Sequence, residues 1–477
     1  MKKLGLGIGF VILELLALPY IFGWYAEREI RAHVEATAFA SQIDMSFSKY
    51  VRGWFRSEAV LEVGFAKSYI EQLRAVSAQG GGDSTPFEGP ATMRYSAQFD
   101  IVHGPLLRTK DLKLGLVEAV SKLRVDAEDV RAMLAQSGAE QLLETYAYID
   151  FSGLTHFTSS SPALKWTHDL GQFDVEPLVV TGTYESSTRE ISMRGLLPRV
   201  QVDTPEVQIE LGVMSMDGSL RFISSYLYVG DVQVSLATIR ANGSSGGPFT
   251  MDGLKVSTSV SESAGGQALD MGVQYSVKNA LFDDTRVAHV VLGLQLENID
   301  RVFLEEYTKL AQDPAALARL GSPEGFGELQ ELLHKFLVRS PHLSIKPLSF
   351  VMDGETSNLE IDVRVNGAKL PGAHDLSPEN LLVIRETLNA AGSVDLGKEL
   401  ALTIAKARMK QNVIAALVQS GREMSAVQIE QFVDEQALKM IQTLVAQRFI
   451  ERTPGGYRAV ASVVDGKLEI NGNPMPF

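Results

Sequence analysis

The feature that most constrains this chain is a two-residue alternation recurring from about residue 91 to about residue 370. Val207, Ile209, Leu211 and Val213 alternate with Glu206, Gln208, Glu210 and Gly212. Leu359, Ile361, Val363 and Val365 alternate with Glu360, Asp362, Arg364 and Asn366, and Val290, Leu292, Leu294 and Leu296 make a third such row. Successive side chains of a strand point to opposite faces. The pattern therefore predicts half-buried strands with one dry and one wet face, typical of antiparallel sheets. Turn-forming clusters punctuate the rows at Met216-Asp217-Gly218, from Asn242 to Gly247, and at Met352-Asp353-Gly354.

Helical segments interrupt and then replace this pattern. Residues 27 to about 50 read as a helix. Asp126 and Asp129 open a helix carrying Val130, Met133 and Leu134, and a second part carries Leu142, Leu143 and Tyr146. Glu305 to Leu320 and Glu328 to Leu337 form a helical pair around Gly321-Ser322-Pro323. Beyond residue 370, helices are predicted over Pro378 to Ala390, 398–419 and 426–449. Ser425 with Gln428 forms the capping box of the last, since the hydroxyl and the amide satisfy reciprocal backbone N–H groups. Tyr457 to Val464 and Lys467 to Ile470 then make a hairpin around Asp465-Gly466.

Lys2 and Lys3 precede an apolar stretch running from Leu4 to about Tyr25, with Trp24 and Tyr25 at its end. About 20 apolar residues span a bilayer core, and a basic leading flank keeps the N-terminus cytoplasmic. Bulky residues from Pro19 to Tyr25 stand where a signal peptidase requires small ones, so an uncleaved anchor over 4–26 is expected. Glu14 lies within that stretch, where a carboxylate costs on the order of 3 kcal/mol and seeks a protein partner or a proton. Gly5 and Gly9 form a G-x-x-x-G pair in the same stretch.

With no cysteine among 477 residues, disulfide scaffolds, thiolate metal sites and cysteine nucleophiles are excluded. Lys plus Arg 44 against Asp plus Glu 58 gives a net charge of -14, which argues against a nucleic-acid partner. The usual metalloprotease, P-loop, nucleophile-elbow and EF-hand spacings are missing. Among the scattered histidines, His103 stands out because Gly104 and Pro105 force a turn beside it, and Asp100 three residues back is placed to orient it. Otherwise His103 is a loop histidine bonded to the backbone of its own turn. His156 and His168 flank a serine-rich loop, Ser159-Ser160-Ser161, best read as solvated. The Arg52-Gly53-Trp54-Phe55 run is either a recognition patch or a strand corner, with Gly53 bending, Trp54 filling the core and Arg52 pairing with a carboxylate.

Several of these segments resemble those of a known family. Tyr50-Val51-Arg52-Gly53-Trp54-Phe55-Arg56-Ser57 is similar to the Y-x-R-G-W/F-F-x-S signature of the YdgA-like proteins of Gram-negative bacteria. Val102-His103-Gly104-Pro105-Leu106 resembles their H-G-P-x segment, and Gly23-Trp24-Tyr25 their exit from the anchor. Tyr148 to Gly153, Leu296 to Asp300 and the ending from Gly456 to Gly472 look like further stations in the family's order. The resemblance implies an inner-membrane anchor, a periplasmic body and no assigned catalytic residue.

The expectation is an α+β chain: a cytoplasmic stub at 1–3, an anchor over 4–26, a mostly antiparallel β body over 27–370, a helical section over 371–455 and a terminal hairpin over 456–477. Its expected function is non-enzymatic and needs no cofactor. It would bind lipid or an amphipathic envelope partner along a sheet, or serve as a homodimeric scaffold, with a hydrolase centred on His103 ranking last.

Overall fold

Antiparallel strands dominate the computed structural model, which describes residues 18–24, 27–28, 43–65, 95–108, 111–169, 171–243, 247–263, 265–282, 285–312, 323–373, 376, 386–420, 424–464 and 466–475. Glu14, Gly5 and Gly9 lie outside them. Among the described residues no helix is long and apolar enough to cross a membrane. The chain forms two units. One holds residues 1–237, 241–245 and 305–322; the other holds 238–240, 246–304 and 323–477. Their division falls inside the stretch 27–370.

The first unit is built on strands β1 (Ile43–Arg52), β2 (Arg56–Phe65), β3 (Tyr95–His103), β4 (Leu106–Leu107), β5 (Lys113–Leu114), β6 (Val117–Val125), β7 (Leu143–Ile149) and β8 (Leu154–Ser160). Apart from the small β4–β5 ribbon, each pairs antiparallel with the next: β1–β2, β2–β3, β3–β6, β6–β7 and β7–β8. The meander continues through Val179–Glu185, Glu190–Leu197, Met214–Phe222 and Tyr228–Gly243. A helix, α1 (Glu128–Gln136), joins β6 to β7. Residues 18–24 are also helical.

Three expectations of a helix or a turn fail in this unit. Residues 43–50 belong to β1, not to a helix, because Ile43, Met45 and Phe47 follow a period of two. Leu143 and Tyr146 sit on β7, since Thr145, Tyr146, Tyr148 and Ile149 favour a pleated surface over a helix. Met216-Asp217-Gly218 is strand interior, not a turn: a Cβ on Gly218 would lie 3.2 Å from Val232 Cγ2, so this glycine admits a cross-strand side chain.

The second unit is a longer meander. Phe249–Glu262, Ala268–Phe282, Thr285–Asp300, His342–Met352, Glu355–Val365, Leu388–Gly397, Gly456–Val464 and Lys467–Ile470 pair in that order, all antiparallel. The turn at Asp353-Gly354 is as expected: both residues have positive φ, 51° and 81°, the geometry of a tight hairpin. Helices α2 (Arg301–Gln312), which from Glu305 on belongs to the first unit, and α3 (Pro323–Val338) come between the third and fourth of these strands. The antiparallel pair α4 (Lys398–Ser420) and α5 (Ala426–Ala446) follows Gly397. The capping box forms as read, with Ser425 accepting from the Gln428 N–H. The helix expected to reach Ala390 does not, because Leu388–Gly397 is a strand pairing with Glu355–Val365.

Its dry core gathers at the sheet ends. Leu269 and Ile299 face each other across a strand pair at 0% and 1% exposure. Ala405, Ala437 and Ile441 close the α4–α5 contact, while Leu337, Val365 and Leu376 form a third cluster.

Candidate functional site

The motif residues singled out by sequence converge at one end of the first sheet. Register explains why. The β1–β2 turn, the end of β3 and the start of β6 are brought side by side by the pairs Arg52↔Ser57, Arg56↔Val102 and His103↔Val117. Gly53 closes the turn by donating its N–H to Arg56 O at 2.9 Å, and a Cβ there would stand 2.5 Å from the same oxygen. Gly104 donates to Leu116 O at 2.7 Å, and the Gly104–Pro105 peptide is cis.

His103 is 2% exposed and Ser57 1%. The Nδ1 of His103 lies 3.1 Å from the Trp54 carbonyl and its Nε2 lies 2.9 Å from Ser57 Oγ. A carbonyl only accepts, so Nδ1 carries the proton and the Ser57 hydroxyl donates to Nε2. Burial pushes the histidine below its ordinary pKa, aided by the Arg52 charge and opposed by the Trp54 carbonyl. This is the arrangement of a serine and its base, but both groups are sealed from solvent, and the pair acts as a buried tie between β3 and the β1–β2 turn. Asp100 does not orient His103. It pairs with Arg56, because residues 100 and 103 point to opposite faces of β3.

The helical residues 18–24 dock onto this corner. Phe22 packs on the Ile101–Val117 cluster, and Gly23 lies so close to His103 that a Cβ would stand 2.3 Å from Cε1. Arg52 reaches Tyr20 Oη and Glu27 Oε2, each at 3.2 Å, and stacks over the Tyr20 ring. The expected carboxylate partner of Arg52 is thus Glu27. Trp54 does not fill the core: it is 52% exposed, with its ring 5.1 Å from that of Tyr20. Phe55 is equally exposed.

Sequence reasoning missed a second cluster beside the first. Glu118, fully buried on β6, accepts a hydrogen bond from Tyr146 on β7. Burial first, and then the Glu118 carboxylate, push the Tyr146 phenol well above its ordinary range. Lys113 donates to Tyr146 Oη at 3.2 Å and lies over the rings of Tyr146 and Tyr148. His156 stacks on Tyr148 at 4.6 Å and meets Asp150 at 3.2 Å, so it belongs to strand β8 and to a hydrogen bond with Asp150, not to a solvated loop. Ser159 and Ser160 are likewise strand residues. No local spacing signals this cluster, because its members are joined only by cross-strand register.

The second unit carries a polar node on its wet face. His342 bridges Glu297 and Asp362 at 2.8 and 2.9 Å, and Lys346 donates to Asp362 at 2.7 Å. The Lys346 and His342 hydrogen bonds hold the Asp362 carboxyl at about 2, against an ordinary 3.8. A carboxylate depressed in this way contributes stability above about pH 4, which is lost as the pH falls through 2. Asp362→Asn is expected to cost about 1–2 kcal/mol at pH 7 after screening and to flatten stability between pH 2 and 4, as read by denaturant titration at each pH. Among the described residues no group of histidine and carboxylate side chains is arranged to hold a metal ion.

A bacterial family described as "Bacterial protein of unknown function (DUF945)" matches residues 1–477. The chain belongs to that family. The match spans both units, so the corner, the buried cluster and the second sheet all lie within the DUF945 region. No curated protein and no solved structure matches the chain.

Proposed function

We propose that this DUF945 protein is a non-enzymatic, inner-membrane-anchored protein of the bacterial envelope that holds acyl chains against the uncovered apolar face of its second sheet. One observation carries this reading. The register aligns Val260, Met271, Leu296, Leu343, Val363, Ala390, Val463 and Leu468 in one row across eight strands. A second row runs Thr258, Val273, Leu294, Ile345, Ile361, Gly392, Ala461, Ile470, and a third runs from Val256 through Tyr275, Leu292, Leu348 and Leu359 to Val394 and Ala459.

The three rows contain no charged side chain, and at about 4.8 Å per strand they extend for roughly 34 Å. None of these residues belongs to the buried core. Dry contacts gather instead at the strand ends and between helices. A face this long and aliphatic, polar only at the Thr258 and Tyr275 hydroxyls, suits a flexible hydrocarbon chain better than a folded partner, whose interfaces rely on aromatic and arginine anchors. The first sheet has a shorter counterpart in Phe157, Met193 and Val232, interleaved with Gly182 and Gly218. The predicted anchor, together with the family resemblance, supports the envelope location.

The test uses the full-length protein, reconstituted in vesicles containing a photoactivatable fatty-acyl phospholipid. After illumination, labelled peptides are expected from Ala268–Phe282, Thr285–Asp300 and His342–Met352. Leu294→Asp places a charge in the middle of the rows and is expected to lower that labelling about tenfold while unfolding remains cooperative. Labelling confined to residues before Glu27 would defeat the reading.

A further inference from the structure

The end of the first sheet that gathers the corner also gathers exposed apolar side chains. The pairs Val117↔Ile149 and Ile149↔Thr155 place the β7–β8 turn beside the β1–β2 turn and the segments 104–108 and 111–116. From these three connections Trp54, Phe55, Leu106, Leu112, Leu114 and Phe151 all face solvent, Leu112 at 72%. Connections are ordinarily polar, and six large apolar residues on adjoining loops make a patch that calls for a partner.

The chain identifies the partner by where it arrives. The helical residues 18–24 reach this same end with Pro19 and Gly23 buried and Tyr20, Ile21 and Trp24 exposed. The sequence places this segment in the anchor over 4–26, but Phe22 and Gly23 are committed to the protein, packed on Ile101, Val117 and His103. What is left for a membrane span is residues 4–18. That stretch is shorter than the roughly 20 residues that a hydrocarbon core asks of a span. A short span is accommodated when flanking apolar surface sinks to the interface. The exposed residues supply such surface, in the tryptophan- and aliphatic-rich composition of an interfacial belt. Cations stand at its edge: Arg28 lies 5.7 Å from the centroid of the Trp24 ring, and Lys113 is held over Tyr146 and Tyr148. Long basic side chains there can reach lipid phosphates while their stems stay in apolar contact.

We propose that this rim is seated in the interfacial layer of the bilayer, with Trp54, Phe55, Leu112 and Phe151 among the lipid headgroups. The inference rests on the anchor reading above but not on acyl-chain binding by the second sheet. The absence of cysteine makes it directly testable. Full-length protein carrying Phe55→Cys, Leu112→Cys or Phe151→Cys, or Ala135→Cys on α1 at the opposite end of the sheet, is labelled with an environment-sensitive dye. Each variant is reconstituted in phosphatidylcholine–phosphatidylglycerol vesicles. Quenching by headgroup-proximal doxyl lipid is expected to be about twofold or more stronger at the three rim positions than at residue 135, with iodide quenching in the reverse order.

Rim labels quenched like the reference would overturn the seating. So would rim labels shielded from both quenchers, the signature of a second copy covering the patch. Vesicle flotation separates the two levels of the argument. Protein that fails to float removes the anchor and the seating together, whereas protein that floats with its rim in water removes the seating alone.

Discussion

Gly104→Ala is expected to be among the most damaging single substitutions in the first unit, lowering its stability by about 3 kcal/mol or more and leaving little folded protein at 37 °C. A Cβ at residue 104 would lie 1.8 Å from Gly115 O and 2.9 Å from Leu116 O, and both neighbours are backbone atoms. The Gly104 N–H is itself donated to Leu116 O at 2.7 Å, so relief of the clash requires breaking the bond that starts the β3–β6 ladder. The loss would pass to the His103–Ser57 tie, and through it to the docking of Phe22 and Gly23. Thermal unfolding with a probe at Trp54 reads the effect directly. A Gly104→Ala protein with an unchanged transition would mean that the corner is far more pliable than its geometry implies.

The second large effect distinguishes core from groove. Leu269→Ala and Ile299→Ala are each expected to cost about 2–5 kcal/mol, because both side chains are fully buried and the space they leave cannot collapse. Their sum should exceed the double variant, since the two residues face each other across the strands. Leu294→Ala and Ile361→Ala remove the same kind of side chain from the middle of the apolar rows and should cost only about 1 kcal/mol in lipid-free protein, where water already reaches them. Equal losses at all four positions, measured by denaturant titration, would place the rows inside a covered core and remove the proposed acyl-binding surface with it.

Much of this architecture was legible in the residues. The three alternating rows fall on the strands Val207–Leu211, Thr285–Asp300 and Glu355–Val365, and the capping box and the last hairpin stand where they were read. Local chemistry decides such features, so a single sequence suffices for them. The misreadings share a cause. Leu143–Ile149 and Leu388–Gly397 carry too few residues to separate a short strand from a helix by period, and their cross-strand neighbours settle it. Gly218 reads as a turn residue until its neighbour Val232 is seen. The candidate site was found residue by residue but not role by role. Arg52, Gly53, His103 and Gly104 do meet, yet Trp54 faces out, Asp100 belongs to Arg56, and Ser57 was overlooked because its partner is 46 residues away. Glu118 and Tyr146 escaped for the same reason.

The order of the ladders in the second unit bears on how the chain is made. From Ala268 to Gly397 each of the five strands pairs with the one synthesised just before it. Each strand emerging from a ribosome therefore finds its template already formed, across tight hairpins at several steps and across α2 and α3 before His342–Met352. The sheet would lengthen one strand at a time, always exposing a fresh edge to the next arrival. Gly456–Val464 comes only after the 23-residue and 21-residue helices, and adds itself beside Leu388–Gly397. Until then that edge is the growing end of the molecule, and synthesis stalled between residues 398 and 455 would leave it open to other chains.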